Sequence, residues 1–104
     1  MANYSHPARA DLSLTAVLSA LGDPIRLSIV RHLYAHSDGL SCSVAAEPLA
    51  DLPKSTLSNH FRVLREAGLI RTTKKGVETI NVVRTEDLNA RFPKLLATLL
   101  SLKE

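Results

Sequence analysis

The sequence predicts a mainly helical domain carrying one β-hairpin, and three observations support that prediction. Apolar residues recur at helical spacing in several short segments, each bounded by a capping or turn residue. The best marked of these, Lys54 to Gly68, starts after a Pro at a run of hydroxyls and stops at a Gly. Leu69 to Val83 is instead rich in β-branched residues and carries Lys74-Lys75-Gly76 midway, which reads as two strands and a turn. The chain has 104 residues, enough for one small domain and not comfortably for two. Hydrophobic residues make up 45% and aromatics 4%, so a core is expected and it must be aliphatic.

Taken in order, residues 1–10 hold Asn, Ser, His and Pro without periodicity and are expected to form a flexible N-terminal tail. The domain is placed at 11–104. Leu14, Val17, Leu18 and Leu21 mark a first helix, capped by Asp11 or Ser13 and ended by Gly22 in a left-handed conformation. Asp23-Pro24 then restarts the chain as an N-cap acid followed by Pro at the first helical position. Leu27, Ile29, Val30 and Leu33 form the inner face of this second helix, which should stop near Ser37. Between Leu40 and Leu52 Pro48 forbids a long regular helix, so one or two turns near 42–47 and an irregular turn through Pro53 are expected. Beyond the hairpin, Thr85-Glu86-Asp87 caps another helix with acids in its first turn. Pro93 interrupts that helix, and Lys94 to about Leu102 forms the last one. The count is five to six helices plus a two-stranded hairpin.

Within Lys54–Gly68, Leu57, Phe61 and Leu64 fall at i, i+4 and i+7 and share one buried stripe. At about 100° per residue, Ser55, Ser58, Asn59, Arg62 and Glu66 gather on the other side. Hydroxyls and helix N-terminal amides suit phosphate oxygens, while Asn and Arg suit base edges in a major groove. Charge points the same way. Net charge is +3, but residues 54–75 hold six bases (Lys54, Arg62, Arg65, Arg71, Lys74 and Lys75) against Glu66 alone, +5. The rest has seven bases and nine acids, −2. A solvated basic face would carry such charge too, but capping, periodicity and element order agree with a footprint for nucleic acid. A short helix, a turn, a capped helix with an outward polar face and then a basic hairpin is the order of a winged helix-turn-helix. Lys54, Ser55, Thr56, Ser58, Asn59 and Arg62 on the helix, with Arg71, Lys74 and Lys75 on the wing, are the expected contacts to double-stranded DNA. Lys74 and Lys75 would meet backbone phosphates, which makes binding salt-dependent.

One subunit of this size reads only a few base pairs. The last helix places leucines at adjacent positions, Leu95 with Leu96 and Leu99 with Leu100, a wider stripe than one surface needs. The first offers Leu14, Val17 and Leu18. Packing both against symmetry mates would make a two-fold homodimer on a pseudo-palindromic operator with half-sites about 34 Å apart, or a multiple. The competing reading is that both stripes cover the subunit's own core.

On these residues the chain resembles the ArsR/SmtB family of bacterial transcriptional regulators. The matching stretches are Leu21-Gly22-Asp23-Pro24-Ile25-Arg26-Leu27 and Ser55-Thr56-Leu57-Ser58-Asn59-His60-Phe61-Arg62-Val63-Leu64-Arg65-Glu66-Ala67-Gly68-Leu69-Ile70, and the likeness runs from about residue 12 to 100. The resemblance implies a homodimeric winged-helix repressor, dimerised through its first and last helices, that leaves its operator when an effector binds. It also places Ser55, Thr56, Ser58, Asn59 and Arg62 on the family's DNA-reading helix and Lys74-Lys75-Gly76 at its wing tip. Two departures bear on the signal. Where many members carry a metal-binding Cys-x-Cys pair, this chain reads Ser41-Cys42-Ser43. Where others use Asp and His on the last helix, it has Glu86 and Asp87 but no histidine after His60. Neither metal site carries over and no cofactor is expected, which leaves three options: an unidentified small-molecule effector, a redox change at Cys42, or constitutive binding.

Other chemistry finds less support. His32 and His36 lie at i, i+4, where two imidazoles can share a metal, but a third ligand would have to come from His6 or Cys42. The competing reading is a partly buried His32 and a His36 at a helix C-terminus. Cys42, at a helix start, could be a reactive thiol or a small packing residue. His60 sits at the edge of the buried stripe and is expected to support packing or touch a phosphate. No Gly-rich phosphate loop, nucleophile elbow or HExxH motif occurs, so an enzyme is not expected. No run approaches ~18 apolar residues, so no membrane partner is expected. The single cysteine fits a cytoplasmic protein. The rival function is a winged-helix protein-interaction module that does not bind DNA.

Overall fold

The computed structural model describes residues 4–49 and 51–103. Six α-helices and a three-stranded antiparallel sheet follow in the order α1 (Leu14–Leu21), α2 (Pro24–Tyr34), β1 (Leu40–Ser41), α3 (Cys42–Ala45), α4 (Lys54–Glu66), β2 (Ile70–Lys75), β3 (Glu78–Val83), α5 (Thr85–Arg91) and α6 (Leu95–Ser101). Single 3-10 turns lie at Arg9–Asp11 and Glu47–Leu49, the second accommodating Pro48. The domain is thus the expected winged helix-turn-helix.

Three helices start as their sequences dictate. The Ser13 hydroxyl accepts from the Ala16 amide, the Asp23 carboxylate from Ile25 and Arg26, and the Ser41 hydroxyl from Val44. Burial would raise the Asp23 pKa, but the Arg26 and Ile25 amides outweigh it and hold the carboxyl below its usual range. Gly22 departs from expectation: its φ of −75° is not left-handed. Asp23 must cap α2 at once, so the chain turns without the extra residue a left-handed terminator needs. The later helices depart too. Thr85 is the first residue of α5 rather than its cap, and Arg84 stands at the N-cap without a side-chain cap bond.

Helix α2 is central, packing on α1, α3, α4 and β3. Its Ile29, Val30 and Leu33 meet Val17, Leu64, Leu69, Ile70, Val83 and Leu96 in one core whose single fully buried aromatic is Phe61. The expected hairpin is present, and one strand was not foreseen. β1 adds to the far edge of β3, with Leu40 opposite Asn81 and Ser41 opposite Ile80. Two residues are too short to show a period, so only the pairing defines this strand. At its centre Asn81 is fully buried: its Oδ1 accepts from Thr72 Oγ1 (2.7 Å), and its Nδ2 donates to Leu40 O (3.3 Å) and Cys42 Sγ (3.2 Å).

Part of the segment expected to be a tail makes contacts with the domain. Residues 1–3 lie outside the described residues, but the segment from Tyr4 onward packs on the domain. His6 Nε2 accepts from the Thr72 amide (2.9 Å), which faces outward because β2 is an edge strand. The Pro7 carbonyl accepts from Arg84 Nη1 (2.7 Å), and Leu12 is buried. This strap lies over Gly68, which ends α4 at φ 83°, with Gly68 N bonded to Arg65 O and Leu69 N to Leu64 O. A Cβ there would stand 2.1 Å from Leu12 Cδ2, so this glycine is required by both backbone and packing.

The terminal helices divide their leucines. Val17 and Leu96, expected at a dimer interface, are buried in the subunit's own core, because α6 folds back on α1 and α5. Leu14 and Leu18 are 44% and 42% exposed, and Leu95, Leu99 and Leu100 are half-buried. The break before α6 falls at Phe92-Pro93, and Lys94 takes a φ of 65° to redirect the chain.

Candidate nucleic-acid interface

Helix α4 has 13 residues and, at 1.5 Å per residue, is about 20 Å long. Its inner stripe is buried as spaced: Phe61 and Leu64 fully, Leu57 in part. His60 is buried beside them, and its Nδ1 accepts from Arg26 Nη1 (3.3 Å) while Arg26 Nε donates to Ala20 O (2.7 Å). His60 therefore ties the helix to α2 and the end of α1, the packing role among those expected for it. The opposite side presents Ser55, Ser58, Asn59, Arg62 and Glu66 to solvent, with Lys54 exposed at the first turn and Thr56 half-buried.

The N-terminus of α4 differs from those of α1 to α3. Its N-cap is Pro53, and no side chain makes a cap bond there. The expected capping hydroxyls, Ser55 and Thr56, lie inside the first turn instead, because Pro53 supplies the extended residue the cap position needs. The first-turn amides thus remain available to an anion, where the macrodipole also favours one.

Further along, Arg62 donates to Asn59 Oδ1 and to Glu66 Oε1 (3.3 Å). The amide and the guanidinium that suit base edges are therefore held together one turn apart. The Arg62–Glu66 pair is more than half exposed and contributes at most about 1 kcal/mol, so a stronger acceptor can draw Arg62 away.

The wing follows directly from Gly68. Arg71 pairs across the ladder with Val82, Lys74 with Thr79 and Lys75 with Glu78. The turn itself is Gly76-Val77, one step beyond Lys74-Lys75-Gly76, so both lysines end β2 rather than form the tip. Gly76 takes φ 61° at the first position of a two-residue turn, where an L side chain is strained. Val77 is 99% exposed at the tip, a feature the charge pattern did not single out.

Arg71 sits apart from this group. Its Nη2 is 3.7 Å from Asp87 Oδ2 at the base of the wing. The same carboxylate accepts from Arg9 Nε (2.7 Å) and Arg84 Nε (3.0 Å). The Arg9 guanidinium foremost, with Arg84 beside it and against the effect of burial, holds the Asp87 carboxyl below its usual pKa range. The i, i+3 spacing of Arg84 and Asp87 was the available signal for this cluster, but the distant partners Arg9 and Arg71 left none.

The histidines and the cysteine are drawn elsewhere. His32 Nδ1 lies 3.1 Å from Ala45 O, and His36 Nδ1 lies 3.0 Å from His32 O. His6 is engaged by Thr72, and Cys42 Sγ by Asn81 and Thr79. Among the described residues no three His, Cys, Asp or Glu side chains come together as a metal site requires. None of the described helices is long and apolar enough to cross a membrane.

Comparison with known proteins agrees with this geometry. Residues 21–73 match a family model described as a helix-turn-helix domain. The chain is 37% identical over 83 residues to the uncharacterized HTH-type transcriptional regulator YceK of Bacillus subtilis, covering 80% of this chain and 82% of that protein. Among solved structures, the ArsR family transcriptional regulator RHA00566 superposes with a TM-score of 0.68 at 26% identity, covering 83% of this chain and 91% of that one. The transcriptional repressor PagR of Bacillus anthracis gives 0.61 at 28% identity, covering 79% and 90%. Sequence, fold and an outward polar helix beside a wing converge: the chain belongs to the ArsR-type winged helix-turn-helix family of DNA-binding transcriptional regulators.

Proposed function

We propose that the protein is a homodimeric, sequence-specific repressor that leaves its operator when an effector binds. The observation that carries this reading is the pairing of Asn59 and Arg62 on the solvent face of α4, next to a wing whose first strand ends in Lys74 and Lys75. Asn and Arg are the side chains that make bidentate contacts to adenine and guanine edges in the major groove. Lys54, Ser55, Thr56 and Ser58 lie at the uncapped end of the helix, where phosphate oxygens find both amides and hydroxyls. Arg71 joins them only by leaving Asp87. A repressor is the role named for the similar PagR structure.

Two subunits are required to read a pseudo-palindrome. Leu14 and Leu18 on α1, with Leu95, Leu99 and Leu100 on α6, are the apolar groups available to join them. Leu18→Glu is expected to leave a folded monomer by sedimentation equilibrium; an unchanged dimer would exclude α1 from the interface. The decisive test of the function is a band shift on the upstream region and other candidate promoters. A complex that survives non-specific competitor is expected, and Asn59→Ala with Arg62→Ala should abolish it. Absence of any sequence-specific complex would refute the reading.

A further inference from the structure

Helix α4 has a second stripe that neither the core nor the DNA face uses in full. Lys54, Leu57, Ser58, Phe61 and Arg65 follow one another at i, i+3, i+4, i+7 and i+11, along the side of α4 turned toward α3. Between them and α3 runs an open groove of about 560 Å³. Cys42, Ala46 and Leu52 form its other wall, and Tyr4 closes one side. That volume lies within the about 300–1,000 Å³ typical of small-molecule sites, and the lining has their usual make-up: an apolar floor with a few polar groups.

The charged groups at the rim select the ligand. Lys54 and Arg65 face the groove, and among the described residues that line it Glu47 is the one acid. Arg65 stands out among the arginines of this region. Arg62, Arg71 and Arg84 each have a carboxylate partner, whereas among the described residues Arg65 has none. It is half-buried, and its guanidinium lies over the Tyr4 ring, 4.6 Å from the centroid. Such stacking fixes the plane of the guanidinium and leaves its edge donors to bind a carboxylate in a bidentate fork.

We propose that this groove binds a small organic carboxylate, its apolar body over the half-buried Leu57 and Leu52 and its acid on Arg65. The regulatory part of the proposal rests on the repressor reading. The ligand wedges between the two helices whose angle presents α4 to the major groove, and it engages Lys54 and Ser58 from the DNA-contacting set. Binding of ligand and of operator are therefore coupled negatively, each weakening the other by the same factor.

The test uses the full chain with naphthoate as probe and the neutral naphthylmethanol as its uncharged match. Amide shifts of Ala46, Leu57 and Phe61, and methyl shifts of Ala46 and Leu57, should saturate with naphthoate, and the alcohol should bind at least about tenfold more weakly. Arg65→Gln should erase that difference, and Arg65→Lys, which keeps the charge but loses the fork, should keep only part of it. Saturating naphthoate should weaken operator binding by at least about tenfold in the parent protein and not in Arg65→Gln. The proposal is overturned by equal binding of acid and alcohol, by no saturable shifts at millimolar probe, or by an Arg65→Gln protein that still prefers the acid. A ternary complex with undiminished DNA affinity overturns the regulatory part. If no operator complex forms at all, the repressor reading fails, while the naphthoate titration still decides the site.

Discussion

Arg62 and Arg84 show what one side chain does in two settings. On α4, Arg62 is more than half exposed and shares only Asn59 and Glu66 along its own helix. At the start of α5, the Arg84 side chain is 3% exposed, and its bonds to Asp87 and the Pro7 carbonyl join the N-terminal strap to the domain. Solvent decides the difference. An exposed pair contributes little and gives way readily to a ligand, whereas a buried guanidinium must keep its acceptors or destabilise the fold. Charge around α4 is thus available for binding, and charge around Asp87 is committed to structure. Arg71 stands between the two, close enough to Asp87 to belong to the second group and exposed enough to serve the first.

The largest expected effect falls on the α4 side. Asn59→Ala with Arg62→Ala should weaken the specific complex by at least about 30-fold, since each base contact is worth about 1–3 kcal/mol, yet leave the urea midpoint almost unmoved. A large loss of stability in that variant would mean the two regions are not separable in this way. Next comes the other side. Asp87→Asn should lower unfolding free energy by about 2 kcal/mol, because Arg84 is left buried with a weakened acceptor, while operator affinity per folded molecule stays close to that of the parent. Loss of DNA affinity without loss of stability there would assign the Asp87 cluster to the interface.

Lys75→Ala should act more gently, weakening specific and non-specific sequences alike and reducing the salt slope by about 1. A sequence-dependent effect would mean the wing reads bases. The smallest effect concerns the strap. Burial foremost, then the nearby Arg71, Arg84 and Arg65, lowers the His6 pKa from 6.5, so the folded protein favours the neutral ring that accepts from Thr72. The unfolded chain then binds the extra proton more readily. This contribution is full above about pH 6.5 and is lost as pH falls through the lower folded value. The thermal midpoint should drop more between about pH 7 and 5 in the parent than in His6→Gln, whose amide oxygen can accept from the same N–H. Equal slopes in the two proteins would remove His6 as the cause.

How much could be read in advance follows the range of the interactions. The α4 helix was legible because its signals are local: a Pro before it, Leu57, Phe61 and Leu64 at helical spacing within it, a Gly after it. Asp23-Pro24 was legible for the same reason. The short strand β1 was not, because a two-residue strand exists only through Asn81 and Ile80, remote in sequence from Leu40 and Ser41. The packed segment around His6 looked like a tail because its anchors, Thr72 and Arg84, are also remote in sequence. The terminal leucines were legible as apolar but not as inward or outward. Val17 and Leu96 turned in while Leu14 and Leu18 stayed out, and only the fold of α6 onto α1 separates them.

The sequence by itself determined the helix with the outward polar face, the wing beside it and the family they imply, since periodicity, capping and local charge specify amphipathic elements one at a time. Tertiary structure alone decided which arginines remain available, where the N-terminal strap lies, and that α3 and α4 leave a groove between them with Arg65 at its edge. Those outcomes depend on which distant groups meet and on how much water they lose, and neither quantity is written along the chain.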